Sequence, residues 1–253
     1  MSYVETWNRE GLRQEGIMQR QVQAALNSFT REYARIYKNS AINMAEGLLF
    51  KKHKSRIMDI LETRYKFIIP FFSKLALDDF SDQFTKAEQD VLISQEDKVT
   101  SSYILNNADF KSSSIANTSV NEVRKVINKG VLAGDSIAVI SRSIAALKLV
   151  NATRSALIAR TEVHAAANYG GIETARNAQR EFDIVMTKEW LAVGDSRTRD
   201  PHKAMDGTVT DLDENFNVNG DMMDRPLDAT ASLDNIINCR CTLRYRKKEF
   251  KID

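Results

Sequence analysis

The chain has 253 residues, 43% of them hydrophobic and 28% charged, with three prolines and ten glycines. That length allows one large or two ordinary domains with real cores, and the composition favours helix over linker or low-complexity sequence. A formal net charge of +2 argues against a dedicated, strongly basic nucleic-acid binder, although it leaves room for a local basic patch.

No N-terminal segment has the charged, apolar and small-residue order of a signal peptide. The most apolar short run, Phe67 to Phe72, contains Pro70 and is too short to span a bilayer. A protein of a cytosol, or assembled in one, with no membrane contact is therefore expected. Cys239 and Cys241 are the two cysteines, and reduced thiols are expected rather than a disulfide framework.

The first half reads as helix. Met18, Val22, Ala25, Leu26, Phe29, Tyr33, Ile36 and Tyr37 recur at three- and four-residue steps, the spacing of a buried helical stripe. Asn39-Ser40 interrupts it. A second pattern runs through Ile42, Ala45, Leu48, Leu49, Ile57, Ile60, Leu61, Tyr65 and Ile68, and Pro70 is expected to kink or end that helix. The more polar stretch Asp78–Ser114 is expected to hold one helix, around Lys86 to Asn106. Lys111 to Ser114 reads as a linker.

A helical pair follows. Thr118 to Glu122 offers an N-cap and an acidic first turn, with Val123, Val126, Ile127 and Val131 as its stripe. Gly130 and Gly134 punctuate, and Asp135 or Ser136 can cap a helix carrying Ile137, Ile140, Ile144 and Leu147. A long helix is then expected from about Ala152 to Gln179. Its stripe is Leu157, Thr161, Ala165, Asn168, Ile172 and Ala175. Thr161 and Asn168 are polar on that face, so either they have specific hydrogen-bond partners or the face is half wet.

Strand texture begins near Asp183, with Ile184, Met186, Lys188 and Trp190 in alternation. Near the end, Cys239, Cys241, Leu243 and Tyr245 alternate with arginines, so an extended strand puts the first set on one face. The expected class is α+β: a long helical N-terminal region (1–114), then a domain of helices plus a small sheet (115–253).

Chemistry-bearing residues concentrate in this second part. His202, Cys239 and Cys241 are suitable soft-metal donors for zinc, with Asp195 or His164 as a fourth ligand. The alternative is a polar cluster. There Asp195 pairs with Arg197 or Arg199, His202 bonds a loop carbonyl and the cysteines pack as small apolar groups. Asp211 to Met222 starts like a calcium loop. It has Phe216 where glycine is required and Met222 where a bidentate glutamate is required, which favours an Asx-rich loop between short strands. Cys239, His202 and Asp195 could be written as a nucleophilic set, but no nucleophile elbow or phosphate loop accompanies them, and no catalytic residue is assigned. Arg244, Arg246, Lys247, Lys248 and Lys251 form a basic tail that could touch DNA phosphates or an acidic partner.

Three pieces in order carry a resemblance. They are Arg160-Thr161-Glu162 with Asn168; Trp190, then Asp195, Arg197, Arg199 and His202, then Asp206-Gly207; and Asn238-Cys239-Arg240-Cys241. This set is similar to the phage Mu F-like domain, also called the head-morphogenesis or minor-capsid domain. The resemblance implies a minor structural protein of a tailed-phage head. Such a protein sits near the portal vertex of the virion, and in the host cytoplasm during assembly. It binds the portal protein, with capsid or scaffolding protein and packaged DNA as further partners, and assists head assembly, DNA packaging or DNA delivery. The helical first region is then the part that meets the portal. Some related domains are fused to toxin modules; here the sequence ends just after the expected sheet, and none is expected. The competing readings are a toxin-like ADP-ribosyltransferase or nuclease built on Arg160, Glu162, His202 and Asp195, and a nucleic-acid-binding module using the basic tail and the helical pair.

Overall fold

The computed structural model describes residues 2–39 and 42–248, and its class is α+β, as expected. Four helices are long: α1 (Tyr3–Lys38), α2 (Ile42–Phe80), α4 (Glu96–Leu132) and α6 (Lys148–Phe182). Four are short: α3 (Lys86–Ser94), α5 (Ile137–Ala146), α7 (Asp200–Ala204) and α8 (Leu233–Ile236). Strands β1 (Met186–Leu191), β2 (Val209–Asp211) and β5 (Thr242–Lys247) form an antiparallel sheet in the order β2-β1-β5. β3 (Phe216–Val218) and β4 (Asp221–Met223) form a separate hairpin. No helix among the described residues is long and apolar enough to cross a membrane.

The chain divides into two compact units. One comprises Met1–Glu15, Tyr65–Tyr103 and Arg160–Asp253; the other comprises Gly16–Arg64 and Ile104–Ala159. Each long helix supplies residues to both, so the units do not follow a single cut in the sequence near residue 114. The expected linker Lys111–Ser114 and the expected N-cap at Thr118 both lie inside α4. The serine and threonine hydroxyls bond back to carbonyls of their own helix: Ser112 to Asp109, Thr118 to Ser114, and Ser119 to Ile115. A polar run therefore stays helical while Ala116 and Val120 are buried. The single helix expected over 86–106 is two. A capping box of Thr85 and Glu88 opens α3, and Gln95 separates it from α4.

In the unit built from 16–64 and 104–159, the α1 stripe from Met18 to Tyr33 is buried as the spacing requires. Leu48 and Val131, placed on stripes by their spacing, are exposed instead. Ser40 and the side chains of Ile42 and Ala45 lie outside the described residues. The turn from α4 to α5 follows the glycine punctuation. Gly134 adopts φ +73°, its N–H bonds Val131 O (3.1 Å), and Asp135 N–H bonds Gly130 O (2.9 Å). Ser136 then caps α5 by accepting from Val139 N–H. His53 is buried, stacked on Phe29 (4.5 Å between centroids) and 3.1 Å from Ser119 Oγ, which also accepts from Arg154. Burial, then the charges of Arg154 and Arg56, push its pKa down to about 4.

In the other unit, Pro70 does not end α2, which runs on to Phe80. Losing one helical hydrogen bond costs about 3 kcal/mol. Complete burial of Ile68, Ile69 and Phe72 around it contributes about 1.5–3 kcal/mol per side chain. Gly170 and Gly171 let α6 approach its neighbours. A Cβ at Gly170 would stand 2.9 Å from Ile69 O and from Ser73 Oγ on α2, and one at Gly171 would stand 3.1 Å from the Tyr245 hydroxyl on β5. The β1 alternation is as expected, with Met186, Lys188 and Trp190 buried. Lys188 tolerates burial because its ammonium bonds Asp224 O (2.8 Å) and Asp224 Oδ1 (2.9 Å), while Arg176 shares the same carboxylate. The outer edge of β5 is covered by side chains from helical segments: the Tyr3 hydroxyl donates to Leu243 O (2.8 Å) and Lys247 N–H donates to Gln83 Oε1 (2.6 Å).

Two outcomes follow for stability. Gly170→Ala forces a helix shift against a backbone carbonyl, and urea unfolding is expected to show a loss of about 1–3 kcal/mol. His53 has a folded pKa below its unfolded value, so its contribution is complete above about pH 6.5 and is lost as pH falls toward about 4. Thermal unfolding across that window is expected to show a decline that His53→Phe flattens.

Candidate functional site

The first motif sits on α6. Arg160 Nε donates to Glu15 Oε2 (3.0 Å), and its Nη1 donates to Asn238 Oδ1. Thr161 Oγ1 accepts the backbone N–H of Asn238 at 3.2 Å. The buried Glu162 accepts the Tyr65 hydroxyl at 2.6 Å, and burial together with that carboxylate drives the Tyr65 pKa up. His164 Nε2 lies 2.9 Å from Glu15 Oε1. Burial alone would raise the Glu15 pKa, but the contacts of His164 and Arg160 outweigh it and hold it below the usual carboxylate value. Asn168 Nδ2 donates to His164 O and to Cys241 O, both at 3.0 Å. The two polar residues on the α6 stripe are thus specifically partnered, and Leu157 on the same stripe is partly exposed.

The second motif shapes the loops around β1. Asp195 accepts Arg240 Nη2 on both oxygens (2.7 and 2.8 Å), Arg197 N–H (3.0 Å) and the Thr198 hydroxyl (3.2 Å). The Arg240 contact foremost holds its carboxyl well below the ordinary range. Arg199 donates to Ile237 O. Asp206 accepts Ala192 N–H at 2.8 Å. Gly207 adopts φ +76° and donates to Trp190 O (2.8 Å), while Trp190 N–H bonds Thr208 O (2.9 Å), so this turn delivers the chain into β2 beside β1. The Trp190 ring is buried, edge-on to His202 and Phe216.

The third motif brings the soft donors together. His202, on the short helix α7, and Cys239 and Cys241, just before β5, are all buried. His202 Nδ1 lies 3.4 Å from Cys239 Sγ and 3.5 Å from Cys241 Sγ, and the three donor atoms lie within 4.8 Å of one another. Neither suggested fourth ligand joins them. Asp195 is engaged by Arg240, and His164 by Glu15. The polar-cluster alternative is also altered: Asp195 pairs chiefly with Arg240, and His202 Nε2 meets Asn235 Oδ1 (3.2 Å) rather than a loop carbonyl. Hydrogen bonding between the two sulfurs pulls the Cys239 thiol well below its ordinary pKa and pushes Cys241 up.

The other expected sites resolve into fold contacts. Asp211 pairs with Lys248 (2.7 Å), and Asp213 accepts from Gln179 (2.7 Å). Asn219 (φ +53°) and Gly220 (φ +93°) make the turn between β3 and β4. The calcium-like stretch therefore runs from the end of β2 through a short loop, β3 and the turn into β4. In the basic tail, Arg244 pairs with Asp79 (3.4 Å) and Glu189 (3.7 Å), Arg246 with Asp79 (2.9 Å) and Lys248 with Asp211. Lys247 is exposed, and Lys251 lies outside the described residues. These cations are largely balanced by carboxylates of the same unit. Sequence reasoning missed Glu15, Tyr65 and Asn235, which serve the motifs from distant or non-periodic positions.

Residues 121–244 match the family described as Phage Mu protein F like protein. The chain is 30% identical over 127 residues to the Minor head protein GP7 of Bacillus phage SPP1, covering 50% of this chain and 40% of that protein. It is 35% identical over 117 residues to the NAD(+)--arginine ADP-ribosyltransferase EFV of Enterococcus faecalis, covering 45% of this chain and 23% of that protein. The chain thus spans less than half the length of either relative. No solved structure matches. Residues 121–244, which hold the whole assembled signature from Arg160 to Cys241, form a domain of the Mu F-like family.

Proposed function

We propose that the chain is a minor structural protein of a tailed-phage head, located in the virion near the portal vertex. There it binds the portal and assists head assembly, DNA packaging or DNA delivery. The observation that carries this reading is the use to which the family signature is put. Arg160, Thr161, Glu162, Asn168, Asp195, Arg199, Asp206 and Arg240 are bonded to other parts of the same unit rather than presented to a substrate-sized cavity. The likeness to a phage minor head protein supports it. The partner-facing surface is assigned to the helical residues of 16–64 and 104–159. There α4 leaves the large apolar side chains of Leu105 (82%), Phe110 (75%) and Leu132 (89%) exposed.

A second reading, ADP-ribosyl transfer to arginine, is favoured by the likeness to the enterococcal protein. It rests on Arg160, Glu162, His202 and Asp195; Asp195 is paired with Arg240 and His202 is buried. Glu162 is buried against the Tyr65 hydroxyl and Arg160 is tied to Glu15, which leaves them poorly placed to meet a dinucleotide.

Co-expression with the portal protein of the same phage is expected to yield a portal ring carrying this chain, and purified heads are expected to contain it. Leu105→Asp with Phe110→Asp is expected to reduce capture by the ring at least tenfold while leaving the unfolding midpoint within a few degrees. Absence from both rings and heads overturns the structural reading. Transfer of label from NAD to an arginine acceptor establishes the enzymatic one.

A further inference from the structure

We infer that His202 Nδ1, Cys239 Sγ and Cys241 Sγ form a binding site for one zinc-class divalent cation, with the fourth position left to water. This assignment does not depend on the portal reading.

Geometry carries it. Zinc–sulfur bonds of about 2.3 Å and zinc–nitrogen bonds of about 2.0–2.1 Å at a tetrahedral angle place sulfur and nitrogen about 3.5 Å apart. The two observed separations are 3.4 Å and 3.5 Å. Hydrogen bonding alone accounts poorly for this pair. A neutral imidazole nitrogen has one lone pair and can accept one thiol proton, yet two sulfurs converge on Nδ1 at almost the same distance. A cation at the centre satisfies all three donors at once.

The surroundings fix the required tautomer. Asn235 Nδ2 donates to Val218 O (3.0 Å) and to Asp221 Oδ2 (2.7 Å), so the carboxamide can only turn its oxygen to His202. His202 Nε2 must then carry the proton, at 3.2 Å from Asn235 Oδ1, and Nδ1 is left bare toward the sulfurs. Asp221 is itself held by the Ser232 N–H (2.9 Å) and hydroxyl (2.6 Å), so a chain of three residues orients one ring. On the sulfur side, Cys241 N–H points at Cys239 Sγ (3.5 Å), a contact that stabilises a thiolate. The buried indole N–H of Trp190 has no hydrogen-bond acceptor of ordinary geometry and lies on the Cys241 side of the cluster. The three donors line a small recess together with Thr198 and Arg199.

Binding brings a cation, two thiolates and a neutral imidazole together, and two thiol protons leave to solvent. No redox change is involved. The ion then joins α7 to the segment entering β5, a short cross-link between two parts of the chain.

The test uses the full chain, purified without chelator from zinc-supplemented cells. Metal analysis is expected to give close to one zinc per chain. Stripping it with a chelator is expected to lower the unfolding midpoint by several degrees, and zinc alone restores it. His202→Ala and Cys239→Ser are expected to abolish zinc retention. Asn235→Ala is expected to weaken affinity about 10–100-fold. Asp195→Asn is expected to retain the ion; if this variant stays folded and loses it, the three-donor assignment is wrong. Should the ligand variants fail to fold, cobalt(II) titration of the stripped wild-type chain replaces them. Thiolate charge-transfer bands and tetrahedral visible bands saturating at one equivalent support the site. A featureless titration with near-zero zinc, or a Cys239–Cys241 disulfide in freshly purified protein, overturns it.

Discussion

The carboxamide of Asn168 sets the spacing on which the signature depends. It donates one hydrogen to the carbonyl of its own helix, His164 O, and the other to Cys241 O, which precedes β5. A helix and an irregular segment are thereby fixed to the same nitrogen, buried and free of competing water. Arg160 and Thr161, two turns earlier on α6, take the side chain and the N–H of Asn238. Asn238 can then hold its left-handed φ of +67°, a conformation asparagine tolerates better than most residues. With residues 238–241 positioned this way, Arg240 reaches Asp195, both sulfurs reach His202, and Thr242 enters β5 opposite Leu191 of β1.

The pieces of the signature are far apart in the chain but form one assembly. Trp190 makes the sheet side of the core, Asp206 and Gly207 return the chain from α7 to β2, and Arg199 secures Ile237. Nearly every polar member is consumed by a neighbour within the unit. Such use of polar groups suits a module that must present a fixed shape to large partners. The proposed role in the phage head requires that shape, and the proposed cation would reinforce it at the point where the polar fasteners converge.

Much of the helical half was legible because burial imposes a three- and four-residue rhythm: the stripe from Met18 to Tyr33 and the turn at Gly134 both follow from it. The failures have local causes. Pro70 and the serine run 112–114 both read as breaks, yet deep burial around the first and back-bonding hydroxyls around the second keep the helices intact. The helix start at Lys86 was placed correctly, but the break at Gln95 that separates α3 from α4 carries no glycine or proline signal. At the site, residue types singled out His202, Cys239 and Cys241 because few side chains can serve as soft donors, and the fold brings these three together. Charge pairing was harder. Which carboxylate meets Arg240, and that Glu15 meets Arg160 and His164, depends on how distant segments pack, and no periodicity encodes it.

The fastening of residues 238–241 by α6 is open to direct measurement by native-state hydrogen exchange along β5 in the wild-type chain and in Asn168→Ala. The amides of β5 are expected to exchange only through global unfolding in the wild type. In the variant they are expected to exchange through a local opening, at least tenfold faster, while amides of α6 keep their relative protection. Equal β5 protection in both proteins, with Asn168→Ala folded, would contradict the account.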